Sequence, residues 1–290
     1  MINQWKIFFA QNRVQIKPPD FDPDPDPDPD PGNTLINPCA ISTEEHPRWD
    51  FSIPEIWGED WFREDAPGAI GFCIQPASQR WHSGFDQFWS ISRTAHFWCS
   101  DDEYSPLYGH AVVFGLGHNS IIQRTAHKNK GFSIRAVRDI LPEEQEDGDG
   151  HFYVDDYTDG SGNKYDGVKI GDQVWIKKSL KSIHYQNGSP LLTEDDFYHP
   201  DLWAETLEGG TCFHPQASAI IGNQSESIDI FGRLYNWYAL GGLVNSNGYR
   251  ISEKSDWLNL RSYLHNEYGI PYSSMALPLK SCRMVNHPQV

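Results

Sequence analysis

The run at residues 20–32 constrains this chain more than any other feature, because aspartate and proline alternate along it. Proline has no backbone N–H, so the run can form neither an α-helix nor the interior of a β-sheet. Its aspartates repel one another and favour an extended chain. We therefore predict a spacer at residues 20–32 that separates residues 1–19 from the globular remainder.

The segment before the spacer, residues 1–19, is too short to bury a core of its own. Its apolar side chains predict docking on another protein. The candidate anchoring residues are Trp5, Ile7, Phe8 and Phe9. A period-two pattern continues through Val14 and Ile16, as in a strand that adds to the exposed sheet edge of a partner. A frayed terminus is the alternative interpretation.

Composition argues against several functional classes. The mean hydropathy is −0.59, and no apolar run approaches the length of a transmembrane helix, so no membrane insertion is expected. A formal charge of −17 disfavours binding to nucleic acid. Residues 1–10 lack the apolar region of a signal peptide, so we expect synthesis in a cytoplasm. The cysteines number 5 and show no Cys-x-x-Cys spacing, which favours buried thiols over disulfides.

The globular remainder divides at the acidic segment 141–150, which we interpret as a solvated linker between residues 33–140 and 151–290. The chain holds 11 Trp, 13 Tyr, 24 Gly and 20 Pro, which favours short strands and long ordered loops. A hairpin is predicted around Gly171 and Asp172. One amphipathic helix is predicted to begin near Glu253 and to end before Gly269. These elements predict an α+β fold.

Several sequence blocks carry a family resemblance. In residues 151–290 the blocks are 166–175 (DGVKIGDQVW), 185–190, 231–239 (FGRLYNWYA), 248–252 with 256–257, and 279–281. In residues 33–140 they are 71–72 with Pro76 and Arg80, 97–100 with Glu103, and 128–139 (KNKGFSIRAVRD). Together they resemble the Fibrobacter succinogenes major paralogous domain family. The resemblance covers most of the chain after the spacer.

The order of the blocks departs from the family, because the blocks of its C-terminal half come first. Joining residue 288 to residue 37 in thought restores a sequence that resembles an uninterrupted family member. We interpret the chain as one circularly permuted module, with residues 33–140 as its C-terminal half and 151–290 as its N-terminal half. Two truncated modules, or halves completed by a neighbouring copy in a domain-swapped oligomer, are the alternatives.

The resemblance implies a C-type-lectin-like fold with one or two helices, and a binding protein rather than an enzyme. The fold is also similar to that of formylglycine-generating enzymes, which depend on a reactive cysteine pair. None of the cysteines here maps onto such a pair, and Cys73 and Cys99 lie in blocks where the family usually has serine. Trp98, Trp175 and Trp257, with Trp237 and Asp159, are implied to be structural.

No cofactor or metal is expected. The histidines at positions 46, 82, 96, 110, 118 and 127 show no metal-ligand spacing and are interpreted as scattered along loops. The turn at residues 159–163 has part of the composition of a calcium loop but lacks its bidentate glutamate at loop position 12. A plain turn is therefore favoured there over a calcium site.

Residues 104–122 are the candidate ligand-binding segment. The family resembles the variable proteins of diversity-generating retroelements, whose AAC-type codons cannot yield Lys, Glu, Gln, Met or Trp, and this segment contains none of those five. The candidate ligand-binding residues are Tyr108, His110, Val112, Val113, Gly115, Gly117, His118 and Asn119. An ordinary pair of buried strands with small turn residues is the alternative.

The order of anchor, spacer and lectin-like module is typical of a virion attachment protein. We expect a phage fibre or decoration protein, a homo-oligomer located in the virion, that recognises a glycan or protein on the bacterial surface. A bacterial surface adhesin or lipoprotein-type module, which would need an export signal, is one alternative. A purely structural virion protein without an external ligand is the other.

Overall fold

The computed structural model describes residues 72, 74–82, 88–89, 91, 94–101, 105–115, 118–197, 200–269, 271–274 and 279. The predicted anchor, with Trp5, Ile7, Phe8 and Phe9, and the predicted spacer lie outside the described residues. Gly117 and Cys73 lie outside them as well.

Strands come first along the described chain, and the α-helices lie among shorter strands after residue 200. The strands are β1 (Gln79–Arg80), β2 (Phe88–Trp89), β3 (Thr94–Trp98), β4 (Tyr108–Gly115), β5 (His118–His127), β6 (Ala136–Asp139), β7 (Phe152–Thr158), β8 (Lys164–Ile170), β9 (Gln173–Ile176), β10 (Thr211–Cys212), β11 (Leu234–Tyr235) and β12 (Arg250–Ile251). The helices are α1 (Pro200–Glu205), α2 (Pro215–Ile221), α3 (Gln224–Phe231) and α4 (Lys254–Tyr268). The named strands pair antiparallel, so the predicted α+β class is confirmed.

Four helices occur in the described residues, where the resemblance implied one or two. The three that were missed are short, and two of them begin at a proline, Pro200 and Pro215. Proline suits the first turn of a helix because the missing N–H has no intrahelical partner there. Such helices are too short to display a repeating apolar face, which is why periodicity did not indicate them. None of the helices in this part of the chain is long and apolar enough to cross a membrane.

The largest sheet draws strands from both halves of the chain. Its order is β12-β6-β9-β8-β7, so β6 of the first half lies between two strands of the second. Val137 pairs with Trp175 on one side and with Arg250 on the other. The two stretches therefore share one sheet within a single chain.

The predicted hairpin and the predicted amphipathic helix are both confirmed. Ile170 pairs with Gln173 across the turn, and Gly171 has φ 60°, a conformation that glycine adopts without strain. Helix α4 begins after Glu253 and ends at Gly269 in the left-handed conformation. Its Trp257 is fully buried 4.8 Å from the Trp175 ring and joins helix and sheet in the main core.

The acidic segment 141–150 is a largely exposed loop in which two carboxylates are hydrogen-bonded to the fold. Glu144 is buried and accepts two hydrogen bonds of 2.7 Å from the Arg138 guanidinium. Asp149 accepts from the Gly171 backbone N–H at 2.8 Å and from the hydroxyls of Tyr263 and Tyr268. Charge composition alone indicated solvation because it cannot show which partners the fold brings to a carboxylate.

Replacing Asp149 with alanine tests the structural role of this loop. The substitution leaves two tyrosine hydroxyls and one backbone N–H without their acceptor, so we expect Asp149→Ala to lower the free energy of unfolding by roughly 1–3 kcal/mol. Denaturant titration measures the change. Glu146→Ala, at an exposed position of the same loop, is the control and should change little. Equal stability of the two variants would contradict a structural role for Asp149.

Candidate ligand-binding surface

The candidate ligand-binding segment forms the β4–β5 hairpin. Tyr108 is 47% exposed and His110 is half-buried. Val112, Val113 and Gly115 are buried. His118 and Asn119 lie at the start of β5, and Gly117 is outside the described residues.

The burial of the hairpin divides it into two parts. Val112 and Phe114 belong to the main core, where the Phe114 ring lies 5.7 Å from that of Trp257. The alternative interpretation, a pair of buried strands, thus describes the middle of the hairpin. Val112, Val113 and Gly115 are buried and cannot contact an external ligand in this conformation. Among the candidates whose burial is described, Tyr108 and His110 are the accessible ones.

At that end, Tyr108 begins a row of ring contacts that we call the aromatic strip: Trp81, His82, Tyr108 and His127, with Lys130. The Tyr108 and His127 rings meet edge to face at 5.7 Å between centroids. The His127 and His82 rings stack at 4.6 Å, and His82 lies 6.1 Å from Trp81. The Lys130 ammonium lies 3.7 Å from the Trp81 ring centroid, within cation–π range.

Three chain segments converge to build the aromatic strip. Tyr108 opens β4 and His127 closes β5, and the antiparallel register pairs them directly. Trp81 and His82 follow β1. Two 2.9 Å hydrogen bonds between the backbones of Arg80 and Gly131 hold the end of β1 against the turn that follows β5 and carries Lys130. A Cβ at Gly131 would lie 2.9 Å from the Arg80 Cβ, so glycine is needed for this close approach.

The electrostatics of the aromatic strip are positive, although the chain as a whole is acidic. The pKa of His82 is lowered by burial and by repulsion from His127 and Lys130. The pKa of His127 is lowered by burial and by Lys130. The pKa of Lys130 is itself lowered, by burial and by nearby Arg124. At neutral pH the strip therefore presents a cation beside largely neutral imidazoles.

Other residues implied to be structural are integrated into the fold. Trp98, Trp175 and Trp257 are fully buried. Trp237 packs against β4 so closely that a Cβ at Gly109 would lie 2.2 Å from its ring. The Asp159 carboxylate accepts hydrogen bonds within its own turn from Ser161, Asn163 and Tyr165, as a plain turn requires.

The sequence suggested histidines scattered along loops, but four of them lie in strands: His96, His110, His118 and His127. His82 follows β1 in a bend, and His46 lies outside the described residues. His96 is buried against the Phe132 ring at 4.9 Å. Strand residues distant in sequence become neighbours through pairing, which linear spacing does not display. Among the described residues, no group of three or more His, Cys, Asp or Glu is arranged to hold a metal ion.

The cysteine side chains of the described region are thiols, as predicted for the chain. Cys99 and Cys212 are both buried and free. Burial raises the pKa of each thiol, which disfavours the thiolate that a nucleophile needs.

Comparison with family models matches residues 168–276 to the Fibrobacter succinogenes major domain. Residues 168–276 therefore carry a domain of that family. The match runs from within β8 to beyond α4 and so covers the confirmed hairpin strand β9 and the amphipathic helix. No curated protein and no solved structure matches the chain significantly.

The aromatic strip lies outside the residues matched to the major domain. Sequence reasoning found Tyr108 but missed Trp81, His82, His127 and Lys130. One signal was available: Trp81 directly follows the block residue Arg80, and His127 directly precedes the block 128–139. Blocks that share one fold bring their flanking residues together.

Proposed function

We propose that this protein is a virion protein, of the phage fibre or decoration type, whose module recognises a glycan or protein on a bacterial surface through the aromatic strip. The observation that carries the proposal is the row of partly exposed rings from Tyr108 to Trp81, beside a lysine. Exposed aromatic side chains that adjoin one another are typical of recognition surfaces, since they offer large contact area at a low cost in side-chain entropy.

Binding accounts for the site better than catalysis. A nucleophile with a nearby base is the usual signature of covalent catalysis. The described thiols are buried, and the strip offers rings and a cation instead. This arrangement supports a ligand held by stacking and charge, and we propose no reaction and no cofactor.

We further propose that the module is one circularly permuted C-type-lectin-like unit that closes within one chain. The position of β6 between β12 and β9 supports this view, because two independent truncated modules would not share a sheet. The ordered loop 141–150 would then bridge the ends that an unpermuted member leaves free. Completion by a neighbouring copy is the competing arrangement.

The virion location rests on the order of segments in the sequence. A short apolar anchor, a stiff acidic spacer and a binding module suit attachment to a particle and presentation to a host. We propose that other virion proteins hold residues 1–19 and that the protein acts as a homo-oligomer. A bacterial surface adhesin would use the same binding surface from a different carrier.

Substitution of Tyr108 tests recognition. We expect Tyr108→Ser to weaken binding of the full chain at least about tenfold, because it removes the most exposed ring of the strip. The measurement is binding to an array of purified bacterial surface polysaccharides and outer-membrane proteins, alongside thermal melting. Phe152→Ser is the matched control, since Phe152 is 41% exposed but lies on β7 of the other sheet.

Three outcomes would overturn the proposal. Unchanged array binding by Tyr108→Ser would remove the strip from recognition, and absence of any bound probe for the unsubstituted chain would favour the purely structural virion protein. Weaker binding accompanied by a clearly lower melting temperature would assign Tyr108 to the fold instead.

A further inference from the structure

We infer that the aromatic strip binds an acidic sugar, one that carries carboxylate or sulfate groups, with Trp81 and Tyr108 against its rings and Lys130 against its charge. This inference rests on the proposed function and specifies the ligand class of the same surface. It is carried by three observations: the spacing of the rings, the charge of the strip, and the pairing of cations elsewhere in the molecule.

The rings form a track rather than an isolated platform. Successive centroids from Tyr108 through His127 and His82 to Trp81 lie 5.7, 4.6 and 6.1 Å apart. A sugar ring has one face of C–H groups that packs on an aromatic ring and a rim of hydroxyls that imidazole nitrogens can bind. A track with a large ring at each end and two stacked imidazoles between them suits consecutive units of a polysaccharide.

Lys130 differs from the cations that form ion pairs in this fold. Those pairs include Arg138 with Glu144, Lys164 with Asp155, Lys181 with Asp229, and Arg233 with Glu194. In the described part of the chain, no carboxylate lies within 4.0 Å of Lys130. In a chain of net charge −17, a lysine held against a partly exposed ring without a carboxylate among the described residues favours an anionic ligand.

The imidazoles add to this argument. Burial and the repulsion from Lys130 lower the pKa of both His82 and His127. The Nδ1 atom of His127 accepts a hydrogen bond from the Asn129 backbone N–H at 3.3 Å, which leaves Nε2 as the donor of the neutral ring. An anionic group bound between Lys130 and the imidazoles would attract the lysine and favour the protonated form of each imidazole.

A protein partner fits the same observations less well. The strip combines two imidazoles and a cation with two larger rings, whereas the core of a protein interface is usually depleted of charged residues. Binding to proteins but not to polysaccharides is therefore one outcome that would overturn the inference.

Two pairs of polymers separate charge from sugar. Affinity electrophoresis of the full chain compares polygalacturonate with its methyl-esterified form, and dextran sulfate with dextran. We expect retardation by polygalacturonate or dextran sulfate and at least about tenfold weaker binding to the uncharged partner of the pair. The pair that responds identifies carboxylate or sulfate as the bound group.

Variants then locate the binding on the strip. Lys130→Gln should weaken binding to the charged polymer roughly fivefold to tenfold, and Trp81→Ala about tenfold. Lys177→Gln is the matched control, because Lys177 lies 4.3 Å from the Phe152 ring and so forms the same type of pair at another site. Thermal melting accompanies each variant, and Lys130→Gln tests the charge even where Trp81→Ala fails to fold.

The outcomes separate this inference from the proposed function. Equal binding to charged and uncharged polymers, no binding to either, or equal losses for Lys130→Gln and Lys177→Gln would overturn the acidic sugar. The proposed recognition surface would still stand if Tyr108→Ser lost its array ligand. Both would fail if neither Tyr108 nor Lys130 affected any binding.

Discussion

Arg138→Ala is expected to lower the free energy of unfolding by about 3–5 kcal/mol, because it strands a buried carboxylate. Arg138 is 4% exposed and donates two hydrogen bonds of 2.7 Å to Glu144. It also reaches Asp156 at 2.8 Å, and Asp156 accepts from the Tyr249 hydroxyl at 2.7 Å. The hydrogen bonds from Arg138 hold the pKa of Glu144 below its usual range, and without them burial of the carboxylate raises that pKa and is not compensated.

An exposed ion pair of the same sheet provides the control. The Lys164 ammonium lies 2.8 Å from Asp155, and their side chains are 60% and 50% exposed. Solvent competes with that pair, so Lys164→Ala should cost less than about 1 kcal/mol. Urea titration at pH 7 measures both. If Arg138→Ala cost no more than Lys164→Ala, the network would contribute no more than a surface pair.

The second large effect is a loss of stability in mild acid. Burial lowers the pKa of His96 to about 3 and that of His214 to about 4. Unfolded histidines titrate near 6.5, so the unfolded state binds protons first as the pH falls. Stability is therefore full above about pH 6.5 and declines below it, by roughly 2 kcal/mol for each histidine at pH 5.

The pH window separates this effect from carboxylate titration. Glu144 has its pKa lowered by Arg138, so its contribution is lost only at a lower pH than that of a free glutamate. The slope between pH 6.5 and 5 thus reports the histidines whose pKa is lowered, chiefly the buried His96 and His214, with a contribution from His82 and His127. It is measured as the urea midpoint at intervals across that range, with the transition slope checked for two-state behaviour.

Variants of His96 and of Phe132, on which it stacks, identify the residue that causes the slope of stability against pH. His96→Phe should remove a large part of the pH dependence, because phenylalanine does not titrate, and it keeps a ring on which Phe132 can stack. Phe132→Leu is the control: it disturbs the same stack without removing a titratable group, so stability should fall at every pH while the slope stays. A slope unchanged in His96→Phe would mean that other groups cause the acid sensitivity.

The elements predicted correctly were those encoded by neighbouring residues. The Gly171–Asp172 turn is set by a glycine that tolerates positive φ. Helix α4 carries its capping residue, its apolar face and its terminal glycine within one continuous stretch. Helices α1, α2 and α3 lack a long repeating face, so their packing against distant strands decides them.

The candidate site was predictable only in part, for the same reason. The composition of residues 104–122 indicated a surface segment, yet Val112 and Tyr108 belong to the same strand and have opposite fates. The two residues are four positions apart on β4 and differ in what packs against them. Val112 pairs with Phe97 inside the main core, whereas Tyr108 lies at the end of the sheet beside His127. The side chains that bury Val112 come partly from elements far along the chain, such as Trp257 of α4.

The sequence by itself determined the local features of this protein: the Gly171 turn, the capped helix α4 and the family match of residues 168–276. Only the tertiary structure decided that β6 completes a sheet of the other half, that Glu144 and Asp149 are bound rather than solvated, and that Trp81, His82 and His127 meet. Backbone preferences act between neighbouring residues, whereas pairing, burial and charge act between residues that only the fold brings together.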